Sequence, residues 1–501
     1  MIPLALSLFA FVVSSHQLGN RLTLGLDEAI YFEGAERVAM GQVPYRDFFL
    51  LTGPGDSWLY GSLFRLVGPS LPAARALLSA EIALLCGAIY WILSHCASRL
   101  FSAAAAVLFL AMLLSSPYGL HATHRWDSNS AVMLALAFTA GGLAPRNWKY
   151  LSIAGAFAAA SAWTTPSLAL PSLAIAIWIG LAAGWRKSIW FYLAGGAVPT
   201  IPAACFLWSQ GALGPMFRHL FWSTANYGGV NWVPYGSMAG SPQLALSGGY
   251  GAGRAALELL PVLLPALAYI GWAILFWKRK REVGAANRLI LLLLAASAAI
   301  VAAAYPRFGG YQLLFVSPVF VVLCSYAIWF ALPDPWHKPF ATVLMASSIV
   351  FVFATAPLRL ERRIETRVGE LQCSRRHYAM VSTLQQYIKP GDSLFVFPYL
   401  PIVYFLTGGQ NPTRYSFLQP GMMTAEDEAF VLGDLRKRAP HWIVWHAFSS
   451  QLILRNWPNS DPNRLRFPAI EAFINENYHD INAGEAGRVG YRLMERNQDR
   501  I

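Results

Sequence analysis

Long apolar runs, separated by short polar connections, dominate the chain as far as about residue 356. A helix that crosses a bilayer needs roughly 20 mostly apolar residues, because no water is present there to satisfy backbone polar groups. The runs at 2–18, 72–97, 101–116, 129–144, 150–165, 167–184, 188–208, 259–277, 289–304, 311–331 and 340–356 meet that requirement and predict about eleven membrane-spanning helices. Beyond them the pattern changes. Helical periods near 378–388 and 424–438 alternate with short apolar strands at Ser393–Phe397, Arg414–Phe417 and Trp442–Trp445, and Pro390-Gly391 marks a turn. The expected fold is therefore mainly α, a polytopic transmembrane bundle over 1–356 followed by a small soluble α/β domain over 357–501. Between the two, Arg359, Arg362, Arg363 and Arg367 interleave with Glu361, Glu365 and Glu370, a pattern that fits a solvated helix with i,i+4 pairing.

Composition agrees: 56% hydrophobic and 13% charged residues place the chain outside the soluble globular range. Its net charge of +12 raises nucleic acid as a partner, but the basic residues form no continuous domain. They fall instead in alternate connections, at Arg99, Arg146 to Lys149, Arg186 and Lys187, Lys278 to Arg288, and His337 with Lys338. Retention of such loops in the cytoplasm puts the N-terminus inside and the C-terminal domain outside, as in a multi-pass protein of a bacterial inner membrane. Met1 to Ser15 lacks a basic leader and a small-residue cleavage site, so it reads as an uncleaved first span. The five cysteines are scattered without metal-ligand spacing, which predicts neither a disulfide framework nor a zinc site.

With this topology the residues suited to chemistry fall on the outer side. The first outward loop carries Asp27 and Glu28 directly after the first span, then Arg46 and Asp47. An inverting sugar transfer needs a carboxylate to take the proton of the acceptor hydroxyl, and Asp27 is placed for it. The alternative reading makes Asp27 a helix cap, with Glu28 favoured by the helix dipole. A second cluster, His121 to Asp127, opens the fourth span; Asp127 is a second carboxylate, and His124 and Arg125 suit a phosphate or a metal, although a capped helix end with an interfacial aromatic explains them too. A third is the turn Tyr305 to Tyr311, where Arg307 offers a planar fork to phosphate oxygens or snorkels to the interface. The connection from Gln210 to Glu258 mixes aromatics and amides in a way that suits a lid or an interfacial belt, and no single role is assigned there.

Taken together, Asp27-Glu28, the segment Val43-Pro44-Tyr45-Arg46-Asp47-Phe48, Arg125-Trp126-Asp127 and the tail motifs Pro398-Tyr399 and Tyr404 to Gly408 resemble the GT-C superfamily of membrane glycosyltransferases. The resemblance is to bacterial members akin to the lipid A aminoarabinose transferase, the protein O-mannosyltransferases and the Rgt-type transferases. It implies a polyprenyl-phosphate sugar as donor, a lipid, glycan or protein acceptor at the periplasmic face, and Asp27 as base. The clusters themselves offer Asp127 as a further catalytic carboxylate, and Glu28, Arg46, Asp47, His124, Arg125, Arg307 and Tyr311 as candidate substrate contacts. Where some relatives carry a Lys or Glu-Lys before the first-loop proline, this chain has Leu51-Thr52-Gly53-Pro54, so the phosphate contact passes to Arg46, Arg125 or Arg307. A divalent metal is possible, with no ligand set assigned.

Other classes remain open on the sequence. A transporter or flippase of lipid-linked sugars would show repeated halves and broken midplane helices, which the pattern lacks. A glycan polymerase or ligase would share the substrate without the acidic first loop, and a non-catalytic anchor displaying the C-terminal domain would not need two acidic clusters facing one side.

Overall fold

A computed structural model describes residues 2–22, 26–116, 119–143, 147–183, 187–237, 251–278, 280–354, 362–446, 449–482 and 490–497. They form two compact units. The first comprises Met1–Leu18, Ala76–Cys205 and Val233–Pro357, and the second Gly19–Arg75, Phe206–Trp232 and Leu358–Ile501.

The first unit is helical. Its elements are α1 (Ile2–Leu18), α4 (Leu71–Ser94) beyond its first turn, α5 (Arg99–Ser115), α6 (His124–Leu143), α7 (Trp148–Thr164), α8 (Ala169–Ala183), most of α9 (Ser188–Ser209), α11 (Gly251–Lys278), α12 (Lys280–Ala303), α13 (Gly310–Ala331) and α14 (Asp334–Ala354). Every apolar run is thus a helix. Among the described residues, five helices are long and apolar enough to cross a membrane, and four more are apolar but shorter. On α5, Ser102 and Ser115 donate to the carbonyls of Ser98 and Ala111, at 2.9 and 2.7 Å, a local pairing that suits hydrocarbon surroundings. Helices α7 and α9 cross at glycines. A Cβ on Gly195 would lie 1.8 Å from the Ser152 carbonyl oxygen, and one on Gly155 would lie 1.9 Å from that of Tyr192, so any side chain there would force the helices apart.

The second unit contains the segment from Gly19 to Arg75, which is largely helical. Its α2 (Leu26–Ala39) and α3 (Gly55–Val67) pack through Phe32, whose ring meets Tyr60 at 5.6 Å and Phe64 at 5.9 Å. Phe32 also lies 5.0 Å from Phe405 on the short α16 (Ile402–Thr407). α10 (Leu213–Val230) belongs here too. The tail supplies the hairpin β1 (Arg362–Thr366) and β2 (Gly369–Cys373), α15 (Arg375–Tyr387), β3 (Leu394–Phe397), α17 (Ala425–Arg438), β4 (Trp442–Trp445), α18 (Ser450–Asn456), α19 (Pro468–Asn477), β5 (Tyr478–Asp480) and β6 (Arg492–Arg496). The larger sheet runs β3-β4-β6-β5, with β3 and β4 parallel and the other pairs antiparallel. Phe395, Ile443 and Met494 from the sheet pack with Val431 and Leu435 of α17 and Ile470 and Ile474 of α19.

Two local expectations are corrected. The described part of the Arg359–Glu370 segment is a hairpin, not a helix; Arg363 pairs with Glu370 across it at 3.4 Å, an opposite-charge contact between the strands. Arg414–Phe417 is not a strand. Its backbone is taken by the α2–α3 loop and by a side chain just before it: Phe49 N donates to Arg414 O at 2.8 Å, and Asn411 Nδ2 to Tyr415 O at 2.8 Å.

Candidate functional site

Within the second unit, Asp27 and Glu28 occupy the first turn of α2, where carboxylates favour the helix dipole. Successive helical residues point about 100° apart, and here that rotation separates two neighbouring acids. Glu28 turns inward, 1% exposed, and receives Arg75 of the first turn of α4 through Nε to Oε1 and Nη2 to Oε2, both 2.7 Å. Asp27 stays half-buried and takes no hydrogen bond from the other described residues.

Further along α2 a second buried layer fixes the helix to the tail. Arg37 pairs with Glu33 one turn earlier and donates to Thr413 O at 3.1 Å, while Ser416 donates to Glu33 Oε2 at 2.6 Å. Glu36 pairs with Arg367 in the β1–β2 turn; burial nevertheless pushes its carboxyl up to about 7, against the opposing pull of the guanidinium.

The loop between α2 and α3 brings Arg46 and Asp47 together. Arg46 donates Nε to Asp47 Oδ1 at 2.9 Å and Nη2 to Oδ2 at 2.8 Å, and its Nη1 reaches Gln210 Oε1 at 3.0 Å. The hydrogen bonds from Arg46 hold the Asp47 carboxyl below its usual range, with the backbone N–H of Val43 adding to them. Arg46 is therefore half of a neutral pair. One residue earlier, Tyr45 adopts φ 67°, a left-handed conformation that costs on the order of 1–3 kcal/mol in a residue other than glycine. Three bonds hold it: its N–H donates to Phe48 O at 2.9 Å, its hydroxyl to Thr52 O at 2.6 Å, and its carbonyl accepts from Arg414 Nη2 at 3.0 Å.

In the first unit a separate polar cluster surrounds the start of α6. His124 Nδ1 and Thr165 Oγ1 lie 2.6 Å apart, Thr165 donates to Ser128 Oγ at 2.9 Å, and the Trp126 indole donates to Gly119 O at 2.8 Å. Phe315 of α13 joins three of these groups. The Arg125 guanidinium sits 5.9 Å from its ring centroid, Trp126 packs at 4.6 Å, and Tyr311 meets it edge-on at 4.9 Å. Tyr311 also stacks on His121 and shares a hydrogen bond with it. The structure thus gathers His124, Arg125 and Tyr311, with Asp127, 8% exposed, on the same turn of α6. Arg307 lies in the turn before α13. A short ladder pins that turn: Val233 N donates to Pro306 O at 3.0 Å, Phe308 N to Val233 O at 3.1 Å, and Gly310 N to Ser237 O at 3.1 Å.

Sequence reasoning missed Arg75, the Glu33–Arg37 pair, and the functional prospects of His219 and Arg414. Arg75 carried a usable signal, since an arginine inside a predicted apolar span is costly unless a partner or cavity receives it. The i,i+4 spacing of Glu33 and Arg37 was also a local signal, whereas His219 and Arg414 meet only through contact between segments 195 residues apart. Among the described residues, no group of three His, Cys, Asp or Glu side chains could hold a metal ion.

No family model matches the sequence, and no curated protein matches it. Solved structures do match, two of them from one protein. The crystal structure of ArnT from Cupriavidus metallidurans bound to undecaprenyl phosphate aligns with a TM-score of 0.57 at 14% identity, over 99% of this chain and 98% of that one. The same protein in the apo state aligns with a TM-score of 0.48 at 16% identity, over 81% and 84% of the two chains. The chain therefore shares the fold of the undecaprenyl phosphate-bound ArnT structure over nearly its whole length.

Proposed function

We propose that this multi-pass membrane protein is an inverting glycosyltransferase that moves a sugar from a polyprenyl-phosphate donor to a lipid, glycan or protein acceptor at the outer face of a bacterial inner membrane. The observation that carries this reading is the end-to-end likeness of fold to a transferase solved with undecaprenyl phosphate. The geometry of Asp27 supports it: its carboxylate is half-buried and uncommitted among the described residues, whereas the adjacent Glu28 is locked to Arg75.

In the proposed step the acceptor hydroxyl gives its proton to Asp27 and its oxygen attacks the anomeric carbon. The bond from that carbon to the phosphate oxygen breaks, and polyprenyl phosphate leaves with the electron pair on the opposite face. Arg125 and Arg307 answer the phosphate charge with planar donor forks. Asp127 serves as the second carboxylate. His124, Tyr311 and the Arg46–Asp47 pair contact substrate, and Glu28 acts through Arg75 by fixing the first turn of α2. A divalent metal is compatible with this scheme, and no step is routed through one.

Deleting the gene tests the proposal. Mass spectrometry of lipid-linked glycans should show the donor accumulating and one acceptor losing its sugar, both restored by the wild-type gene. An unchanged glycan profile would contradict it. The proposed orientation, with the N-terminus cytoplasmic and 357–501 outside, is tested by a reporter active only in the cytoplasm fused after Ile501; silence supports it and activity overturns it.

A further inference from the structure

The buried arginines of the second unit each face a carboxylate: Arg37 faces Glu33 and Arg75 faces Glu28, and the mostly buried Arg367 faces Glu36. Arg414 differs. It is half-buried, and its Nη2 serves two neutral acceptors, the Tyr45 carbonyl at 3.0 Å and His219 Nε2 at 2.8 Å. Among the described residues no carboxylate pairs with it, and the ring of Phe430 lies 5.5 Å from its guanidinium carbon. A half-buried guanidinium without a counter-charge retains its demand for an anion.

The hydrogen bond from Arg414 also fixes the state of His219. A guanidinium only donates, so Nε2 must accept, and the imidazole is neutral with its proton on Nδ1. Burial, then the charges of Arg414 and of Arg218, push His219 down to about 4, in agreement with that assignment. Its Nδ1 and the Arg414 Nε are both buried, and neither has a hydrogen-bond partner among the described residues. Two donors of the same neighbourhood thus lack acceptors. Arg218, exposed and one residue before His219, adds a second positive charge.

We infer that Arg414, His219 and Arg218 form a binding site for an anionic oxygen group, a phosphate or a carboxylate. The group accepts from the guanidinium and from the imidazole Nδ1–H in a charge-assisted contact. Phe49, packed 5.1 Å from the His219 ring, and Tyr45, held by its three hydrogen bonds, make the site rigid before the ligand arrives. This site shares no residue with those assigned above to the base or the donor phosphate, and it stands whether or not the transfer reaction does. The anion comes either from a lipid headgroup or from a soluble phosphate.

Thermal unfolding of the full-length protein in nanodiscs tests the site and separates the two sources. One arm uses phosphatidylcholine nanodiscs titrated with inorganic phosphate at constant ionic strength; the other adds phosphatidylglycerol to the nanodiscs and no phosphate. Stabilisation in either arm is expected, with the apparent affinity falling at least about tenfold in Arg414→Gln, which loses a charged hydrogen-bonding partner. Because Arg414 also supports the Tyr45 loop, exposed Arg218→Gln is the second variant. It should fold normally and bind about two- to fivefold more weakly. Asp27→Asn should bind as the wild type does, so a failed transfer reaction leaves this result readable. No stabilisation in either arm, or equal responses from wild type, Arg414→Gln and Arg218→Gln, overturns the site.

Discussion

Glu28 and Arg75 meet through two parallel hydrogen bonds of 2.7 Å, with both side chains almost fully buried. The pair ties the first turn of α2 to the first turn of α4 and so fixes the backbone that carries Asp27. Removing one partner strands the other as a buried charge, which typically costs about 3–5 kcal/mol. Glu28→Gln and Arg75→Gln should each lower the thermal midpoint in detergent substantially, and the double variant should lose less than the sum of the two. Single variants as stable as wild type would mean that solvent reaches the pair.

The neutral state of His219 gives stability a pH dependence. Its folded pKa, near 4, lies below the unfolded value of about 6.5, so the unfolded chain binds more protons between them. The stabilisation from a neutral His219 is complete above about 6.5 and is lost as pH falls toward 4. Arg414 and Arg218 supply the like charges that oppose protonation, and Tyr45 and Phe49 supply apolar walls. Unfolding midpoints measured from pH 7.5 down to about 4.5 should fall more steeply for wild type than for His219→Gln. Parallel curves would exclude this residue as the source.

Lysine in place of Arg125 or Arg307 keeps the charge and loses the planar fork, and at Arg125 it also loses the stacking over Phe315. Transfer should fall in Arg125→Lys and Arg307→Lys, by about tenfold if one charged hydrogen bond is lost, while expression and unfolding stay near wild type. Unchanged turnover would make both residues interfacial anchors.

The helices of the first unit were legible because a spanning segment must be apolar along its whole length, a requirement that each run states without reference to its neighbours. Their polar starts were less legible. α6 begins at His124, five residues before the apolar run at 129, because the helix absorbs its own polar cluster. In the tail, Trp442–Trp445 and the helix from Ala425 to Arg438 could be read from local periodicity and a Thr424–Asp427 capping box. Arg414–Phe417 could not: four residues of strand-like composition were recruited by the loop that precedes α3 and by the Asn411 side chain. The candidate site divides in the same way. Asp27 and Glu28 were visible as an acidic pair, but only their rotation around α2 and the arrival of Arg75 show that the two acids differ.

The central claim is that Asp27 acts as a base, and the most direct measurement compares purified Asp27→Asn with wild type on the same polyprenyl-phosphate sugar. Asn is nearly isosteric, suits a helix start about as well as Asp, and disturbs no hydrogen bond to the other described residues, so the unfolding midpoint should not move. It accepts no proton. Transfer should therefore fall by about 10²-fold or more. Near-normal turnover by Asp27→Asn would contradict the account and pass the role of base to Asp127 or Asp47.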